Sequence, residues 1–267
     1  MRILQTGLVP DALLKHTTTP RAQVQRFLAD LLNFCGLLLK GKINPPLPRK
    51  EGEMYLTLEG RKWRHVWVLG DLHGCYQQLM TSLKRLRFNP YEDLLISVGD
   101  LIDRGPQSLK CLQLIEEKWF YAVRGNHEEM ALEAVKSNTF ALWLMNGGAW
   151  FAGLEAEDKR RALRLLEACN GLPWIIDITC HNGVNVVAHA DYPAAHYIYG
   201  QPVDKQQVVW SRSRITGLMA GQGQSIAGAD HFWFGHTPLA KRLDYGSLHY
   251  IDTGAVFGGT LTLVQLQ

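Results

Sequence analysis

Short apolar runs rich in β-branched and aromatic residues alternate along the chain with longer stretches of helical periodicity. The runs are His65–Leu69, Leu94–Val98, Tyr121–Val123, Val184–Ala188, Phe232–Phe234 and Leu248–Ile251. Between them, Tyr76–Leu86, Ser108–Glu117, Glu128–Lys136 and Lys159–Ala168 repeat apolar residues at helical spacing. Strand and helix in alternation from residue 54 onward predict an α/β layered fold. Residues 1–53 have another character and are read as an N-terminal extension to a 54–267 domain. Thr19-Pro20 is a helix start, a cap followed by proline at the first helical position. Val24, Phe27, Leu28, Leu31, Phe34, Cys35 and Leu38 then mark one face of an amphipathic helix, which Pro45-Pro46-Leu47-Pro48 ends. Three readings of this stretch stay open: an accessory helix on the main domain, a membrane-surface or partner helix, and a leader absent from the natural product. The third arises because Lys50-Glu51-Gly52-Glu53 can be encoded by a purine-rich, ribosome-binding-like sequence just ahead of Met54.

Five of the six predicted strands stop at a cluster of potential metal ligands. The clusters are Gly70-Asp71-Leu72-His73-Gly74, Gly99-Asp100-Leu101-Ile102-Asp103-Arg104-Gly105-Pro106, Arg124-Gly125-Asn126-His127-Glu128, His189-Ala190-Asp191 and Gly235-His236-Thr237-Pro238. Ligands of layered α/β folds bind outside the carboxyl ends of strands, so five such clusters are expected to converge. Asp, Asn and His donors suit Mn, Fe, Zn or Mg rather than a thiolate metal. They are too many for one ion and enough for two. Two ions about 3.5–4 Å apart can activate a water and clamp a phosphate. Arg104 and Arg212 are candidates for the phosphate, because a planar guanidinium forks onto two oxygens. His127 directly follows the candidate ligand Asn126 and so points elsewhere; it is the candidate general acid, with Asp103 to orient it.

Taken singly these signals are weak. An Asp-x-His pair is common, and Gly-Asn-His-Glu can be a mere turn and cap. Arg212 and Arg214, in Trp210-Ser211-Arg212-Ser213-Arg214, read alone as solvated charge. Asp191 and Asp252 are near strand ends without a clear part in the site. His65, His181, His196, His231 and His249 read as surface or satisfied core histidines, and Cys75 as a small buried residue at a helix start. The force lies in the joint occurrence, in order and at strand ends.

Together, GDLHG at 70–74, GDLIDRGP at 99–106, GNHE at 125–128, His189 and His236 resemble the signature of the PPP-type metallophosphoesterases. Blocks such as DLLISVGDLIDRGP, RGNHEEM, AHADYP, FGHTP and YIDTGAVFGG are similar to the phage and enterobacterial serine/threonine protein phosphatases, across residues 54–267. The resemblance implies a central β-sandwich of mixed sheets flanked by helices. It implies Asp71 and His73 on a first metal, Asp100 bridging, and Asn126, His189 and His236 on a second. It further implies His127 paired with Asp103 as acid, Arg104 and Arg212 on the phosphate, and Arg124 as a further phosphate candidate. The metals implied are two divalent ions, most often Mn2+. The reaction implied is hydrolysis of phosphoserine and phosphothreonine, and of phosphotyrosine as well, by a metal-activated hydroxide. Symmetrical dinucleoside-tetraphosphate hydrolases share these motifs, but they more often carry GNHD, and the WSRSR block matches the protein phosphatases better. A non-catalytic scaffold on this fold would be expected to lose the acid or a ligand, and here every one is present.

Charge and cysteine content narrow the class. Residues 1–53 hold eight Lys/Arg against four Asp/Glu, and the remainder 20 against 21. The body is thus not a basic nucleic-acid binder, and any anion site is local. Five cysteines, an odd number with no CxxC pair, argue against a disulfide framework or a thiolate zinc site and for reduced thiols. With no span-length apolar run and no convincing signal peptide, a cytoplasmic protein without a membrane partner is expected, acting on phosphoproteins. Substrate choice is expected to sit in the Trp143–Gly153 and Ala194–Val203 regions.

Overall fold

The computed structural model describes residues 52–267. The helix expected after Thr19, the proline-rich linker and Cys35 lie outside the described residues. The strands are β1 (Tyr55–Glu59), β2 (His65–Leu69), β3 (Asp93–Ser97), β4 (Phe120–Ala122), β5 (Ile175–Cys180), β6 (Gly183–Ala188), β7 (His231–Phe234), β8 (Leu243–Tyr245), β9 (Leu248–Tyr250) and β10 (Leu263–Gln265). They form a six-stranded sheet, β1-β5-β6-β7-β9-β8, and a four-stranded sheet, β10-β2-β3-β4. In the smaller sheet β2, β3 and β4 are parallel, and β10 closes the edge antiparallel to β2. In the larger, β6, β7 and β9 run parallel while β5 and β8 reverse direction.

Alternation along the strands makes these sheets a sandwich. Val66, Val68, Leu94, Ile96 and Val98 of the smaller sheet share one apolar cluster with Ile176, Ile178, Val187 and Trp233 of the larger. Their neighbours Ile175, Val186, Ala188, Phe232 and Phe234 point to the opposite face and build a second cluster, as a period of two requires. Fully burying one such Val or Leu side chain is worth about 1.5–3 kcal/mol. The helices α1 (Tyr76–Arg85), α2 (Ser108–Gln113), α3 (Asn126–Ser137), α4 (Ala141–Trp143), α5 (Ala149–Ala152), α6 (Ala156–Ala168), α7 (Lys205–Trp210) and α8 (Ser213–Met219) complete the layers. Val208 and Val209 of α7 and Ile215 of α8 enter the second cluster, and so cover the outer face of the six-stranded sheet.

All six expected strands are present. β1, β5, β8 and β10 escape a reading by apolar runs for physical reasons. β1 is an edge strand with only Tyr55 buried. β5 is interrupted by Asp177, whose carboxylate accepts from Tyr197 Oη at 2.8 Å. β8 and β10 are three residues long. The Trp143–Gly153 region, expected as a substrate loop, is instead two short helical pieces joined by a π-turn, Leu144–Gly148.

Candidate metal centre and active site

Five loops meet above the carboxyl ends of β2, β3, β4, β6 and β7, where the two sheets abut. Each leaves its strand abruptly. His73, Asp100, Asp103, Arg104 and His236 have φ of 40°, 50°, 77°, 66° and 66°. A non-glycine residue holds such a left-handed conformation at a cost, and only where its surroundings dictate it. Glu128, in the first turn of α3, supplies part of that dictation. Its buried carboxylate accepts the backbone N–H groups of Asp100 (2.9 Å), Leu101 (2.9 Å) and Gly125 (3.0 Å), stitching the second loop to the third. Asp71 likewise accepts from the backbone N of His236 at 3.1 Å, joining the first loop to the fifth. Gly125 and Gly235 permit these approaches: a Cβ at either would collide with a carboxylate oxygen, Asp100 Oδ1 or Asp71 Oδ1.

Two donor sets result, sharing Asp100. In the first, His73 Nε2 lies 3.9 Å from Asp71 Oδ2 and 3.5 Å from Asp100 Oδ2. In the second, His189 Nε2 lies 3.3 Å from Asp100 Oδ1 and 2.8 Å from Asn126 Oδ1, which is 2.9 Å from His236 Nδ1. Atoms bound to one ion at roughly 2.0–2.3 Å stand about 3–4 Å from each other, so these spacings fit a shared cation. The tautomers agree. His73 Nδ1 faces the Ile102 carbonyl at 2.8 Å and His189 Nδ1 faces the Val98 carbonyl at 2.7 Å. A carbonyl only accepts, so each Nδ1 carries a proton and Nε2 is the nitrogen directed at the carboxylates. Lone pairs that converge on one another are stable only around a positive charge.

The electrostatics tell the same story. Burial first, then the Asp252 and Asp100 carboxylates, hold Asp71 well above the usual carboxylate range. Burial alone would lower His189, but Asp100 and Asp71 push it up to about 10. Burial, with His127 and Arg104, draws His73 down to about 4 against the pull of Asp100. Burial and His189 bring His236 down to about 3. Crowded carboxylates of this kind call for cations between them. Oxygen and imidazole nitrogen donors suit Mn, Fe, Zn or Mg.

His127 stands beside the first donor set. Its ring meets that of His73 edge-on, with centroids 4.6 Å apart. Its Nδ1 donates to Asp103 Oδ2 at 2.7 Å, and its Nε2 lies 3.9 Å from Asp100 Oδ2. At the mouth, two exposed guanidinium groups flank the donors. Arg104 Nη1 donates to His73 Nε2 at 2.5 Å, and its guanidinium lies 5.5 Å from the Phe257 ring centre. Arg212 Nη2 donates to the His236 carbonyl at 3.4 Å.

The sequence profile of the calcineurin-like phosphoesterases matches residues 64–251. The chain belongs to that family. It is 56% identical over 215 residues to serine/threonine-protein phosphatase 1 of Salmonella typhimurium, covering 80% of this chain and 98% of that protein. It is 42% identical over 213 residues to serine/threonine-protein phosphatase 2 of Escherichia coli, with the same coverage of 80% and 98%. The solved structure of a candidate diadenosine tetraphosphatase superposes with a TM-score of 0.60 at 26% identity, over 80% of this chain and 94% of the other.

In this calcineurin-like phosphoesterase one expected phosphate ligand is placed elsewhere. Arg124 is buried, donating to Glu129 Oε1 (2.6 Å) and to the Asn170 carbonyl (2.6 Å), with its guanidinium 4.7 Å from the Trp174 ring centre. Its charge is spent on packing α3 against the Asn170–Trp174 segment, so the phosphate expectation for Arg124 is corrected. Arg214 is not the solvated charge expected of it either. It donates to Asp191 Oδ1 (2.7 Å) and to the carbonyls of Tyr192 (3.0 Å), Ala194 (3.2 Å) and Gln224 (3.1 Å). Asp191 is thereby turned toward Arg214 rather than toward the donors, and the pair fastens the Arg212 segment to the loop after His189. Asp252 accepts from the Gly254 backbone N at 2.9 Å and enters the site as a charge near Asp71.

Three further residues brace this cluster without having been signalled as site residues. Glu128 was visible only as a motif letter. Trp143 and Trp150 both donate indole N–H groups to Asp103. No spacing rule leads from residue 103 to residues 143 and 150, because the contact is purely tertiary.

Proposed function

We propose that this chain is a metal-dependent protein phosphatase that hydrolyses phosphoserine and phosphothreonine monoesters, and phosphotyrosine as well. The observation that carries the reading is Asp100, which offers one oxygen to each of two donor sets beside an Asp103–His127 pair. The 56% identical relative, a serine/threonine-protein phosphatase, supports protein substrates. Asp71, His73 and Asp100 would hold one divalent ion, and Asp100, Asn126, His189 and His236 the other. Manganese is the ion we assign from a donor set that also accepts Fe, Zn or Mg. When bound, the pair lowers the pKa of a water and offsets phosphoryl charge. Arg104 and Arg212 reach from the mouth to phosphoryl oxygens, where charge-assisted hydrogen bonds are strongest. His127 Nε2 gives its proton to the departing oxygen while Asp103 holds Nδ1.

The cysteines support direct hydrolysis. Cys75, the thiol nearest the first donor set in sequence, is buried, and burial raises its pKa, which disfavours a thiolate nucleophile. The four described cysteines are free and buried. That suits the reducing cytoplasm in which we place the protein. Among the described residues no helix is long and apolar enough to cross a membrane.

A second reading, dinucleoside tetraphosphate hydrolysis, is favoured by the candidate diadenosine tetraphosphatase at 26% identity; the 56% and 42% identical phosphatases outweigh it. A metal series on phosphoserine peptide, phosphotyrosine peptide and symmetrical diadenosine tetraphosphate tests the choice. The peptides should be hydrolysed with added manganese and not with chelator. Turnover of the dinucleotide well above that of both peptides would reverse the assignment.

A further inference from the structure

We infer that Trp143 and Trp150 are positioning residues for proton delivery: their two indole N–H groups fix the carboxylate that aims His127. The inference rests on the reading of His127 as the general acid. Asp103 is fully buried, at 0% exposure, on a residue with φ 77°. Its Oδ1 accepts from Trp150 Nε1 at 2.7 Å and from Trp143 Nε1 at 2.9 Å. Its Oδ2 accepts from Trp143 Nε1 at 2.9 Å and from His127 Nδ1 at 2.7 Å.

An indole nitrogen can only donate, and its ring has two torsions, so a packed tryptophan is a rigid donor. Trp143 is fully buried, with ring centres of Phe140, Trp150 and Phe151 at 6.2, 6.0 and 5.4 Å. Two rigid donors on one carboxylate fix its plane. They leave Oδ2 directed at His127 Nδ1, which sets the azimuth of the imidazole and so the direction of Nε2. With one donor gone the carboxylate can turn about its bond, and His127 turns with it. The same segment also sets an arm of the phosphate site. The Gly147 carbonyl accepts from the Arg104 backbone N at 3.0 Å. A Cβ at Gly147 would come within 2.7 Å of Arg104 Cγ. One turn between α4 and α5 therefore places the acid's partner and the neighbouring arginine together.

Leaving-group dependence separates a positioning role from a merely structural one. A serine alkoxide needs a proton as it departs, whereas p-nitrophenolate does not. Manganese-loaded Trp143→Phe and Trp150→Phe keep an aromatic ring and remove the N–H. The ratio of kcat/KM on a phosphoserine peptide to that on p-nitrophenyl phosphate should fall about tenfold or more in each, out of the roughly 10²–10⁴-fold a positioned general acid supplies. Independently of turnover, two indole 15N–H resonances should move in Asp103→Asn, in the metal-free protein and with diamagnetic magnesium. An unchanged ratio in both variants, or indole resonances indifferent to Asp103→Asn, overturns the inference. Trp150 is only half-buried, so Trp150→Phe remains a fair test should Trp143→Phe fail to fold. His127→Asn serves as the control: a selective fall in its ratio alongside unchanged Trp ratios would leave the acid reading standing without the tryptophans. Equal loss on both substrates in His127→Asn would instead remove the acid reading, while the indole resonances still report the contact.

Discussion

At the scale of the residue, the site is a set of charges that neutralise one another only in company. His127 and Asp103 are both buried and 2.7 Å apart, a pair held in one geometry. Replacing His127 with Asn should lower kcat on a phosphoserine peptide by about 10²–10⁴-fold, with far-UV circular dichroism unchanged; near-native turnover would exclude the acid role. Arg212 and Arg124 make a useful contrast. Arg212 is exposed at the mouth, and losing its hydrogen bonds to a charged group costs about 1.5–3 kcal/mol. That is roughly 10–150-fold in kcat/KM for Arg212→Ala, and Lys should restore only part of it because it lacks the guanidinium fork. Arg124 is buried under Trp174 and bonded to Glu129. Arg124→Met should therefore lower Tm and leave KM unchanged, and a raised KM would return it to the phosphate site.

At the scale of the element, the positions of the donors were legible because each follows a strand whose apolar run announces it. Asp71 and His73 follow β2, Asp100 follows β3, Asn126 follows β4, His189 follows β6 and His236 follows β7. What was not legible is what fastens those loops. The tryptophans on α4 and α5, the Asp191–Arg214 pair and the Arg124 stack join segments distant in sequence, and no local period encodes them. β5 was missed for a related reason: Asp177 breaks its apolar run, and only the tertiary partner Tyr197 makes it tolerable there.

The first residue of β3 shows the pH behaviour such fastenings produce. Asp93 accepts from Arg64 Nη2 at 2.6 Å, Arg64 Nε at 2.9 Å and the Asn89 backbone N at 2.7 Å. Burial works to raise its pKa, but Arg64 and the Asn89 N–H outweigh burial and hold it below the usual carboxylate value. A depressed folded pKa contributes stability above the unfolded value of about 3.9 and loses it as pH falls through the folded value. Asp93→Asn should thus lower Tm at pH 7, with the gap to wild type closing as pH drops below about 4. A gap that stays constant with pH would show that the ion pair does not act through ionisation.

At the scale of the whole molecule, the sandwich brings the carboxyl ends of strands from two different sheets to one point. Among the described residues, both apolar clusters and every candidate donor fall from Met54 onward. A chain beginning at Met54 should keep the kcat and metal requirement of the full chain; loss of turnover on removing residues 1–53 would make them part of the catalytic unit. Cation binding should also stabilise the fold, because the ions bind the assembled loops and not the open chain. The gain is about 2.7 kcal/mol at a free-ion concentration 100 times Kd, and it should appear as a rise in Tm with manganese that Asp100→Asn reduces.

The claim that two cations share Asp100 is open to direct spectroscopic test. Electron paramagnetic resonance of the manganese-loaded protein, with metal content measured on the same sample, reports whether two ions are bound and whether they interact. Two manganese ions per chain are expected, with an exchange-coupled multiline spectrum that Asp100→Asn abolishes. A single ion per chain, or two ions giving only the spectrum of isolated manganese, would contradict it.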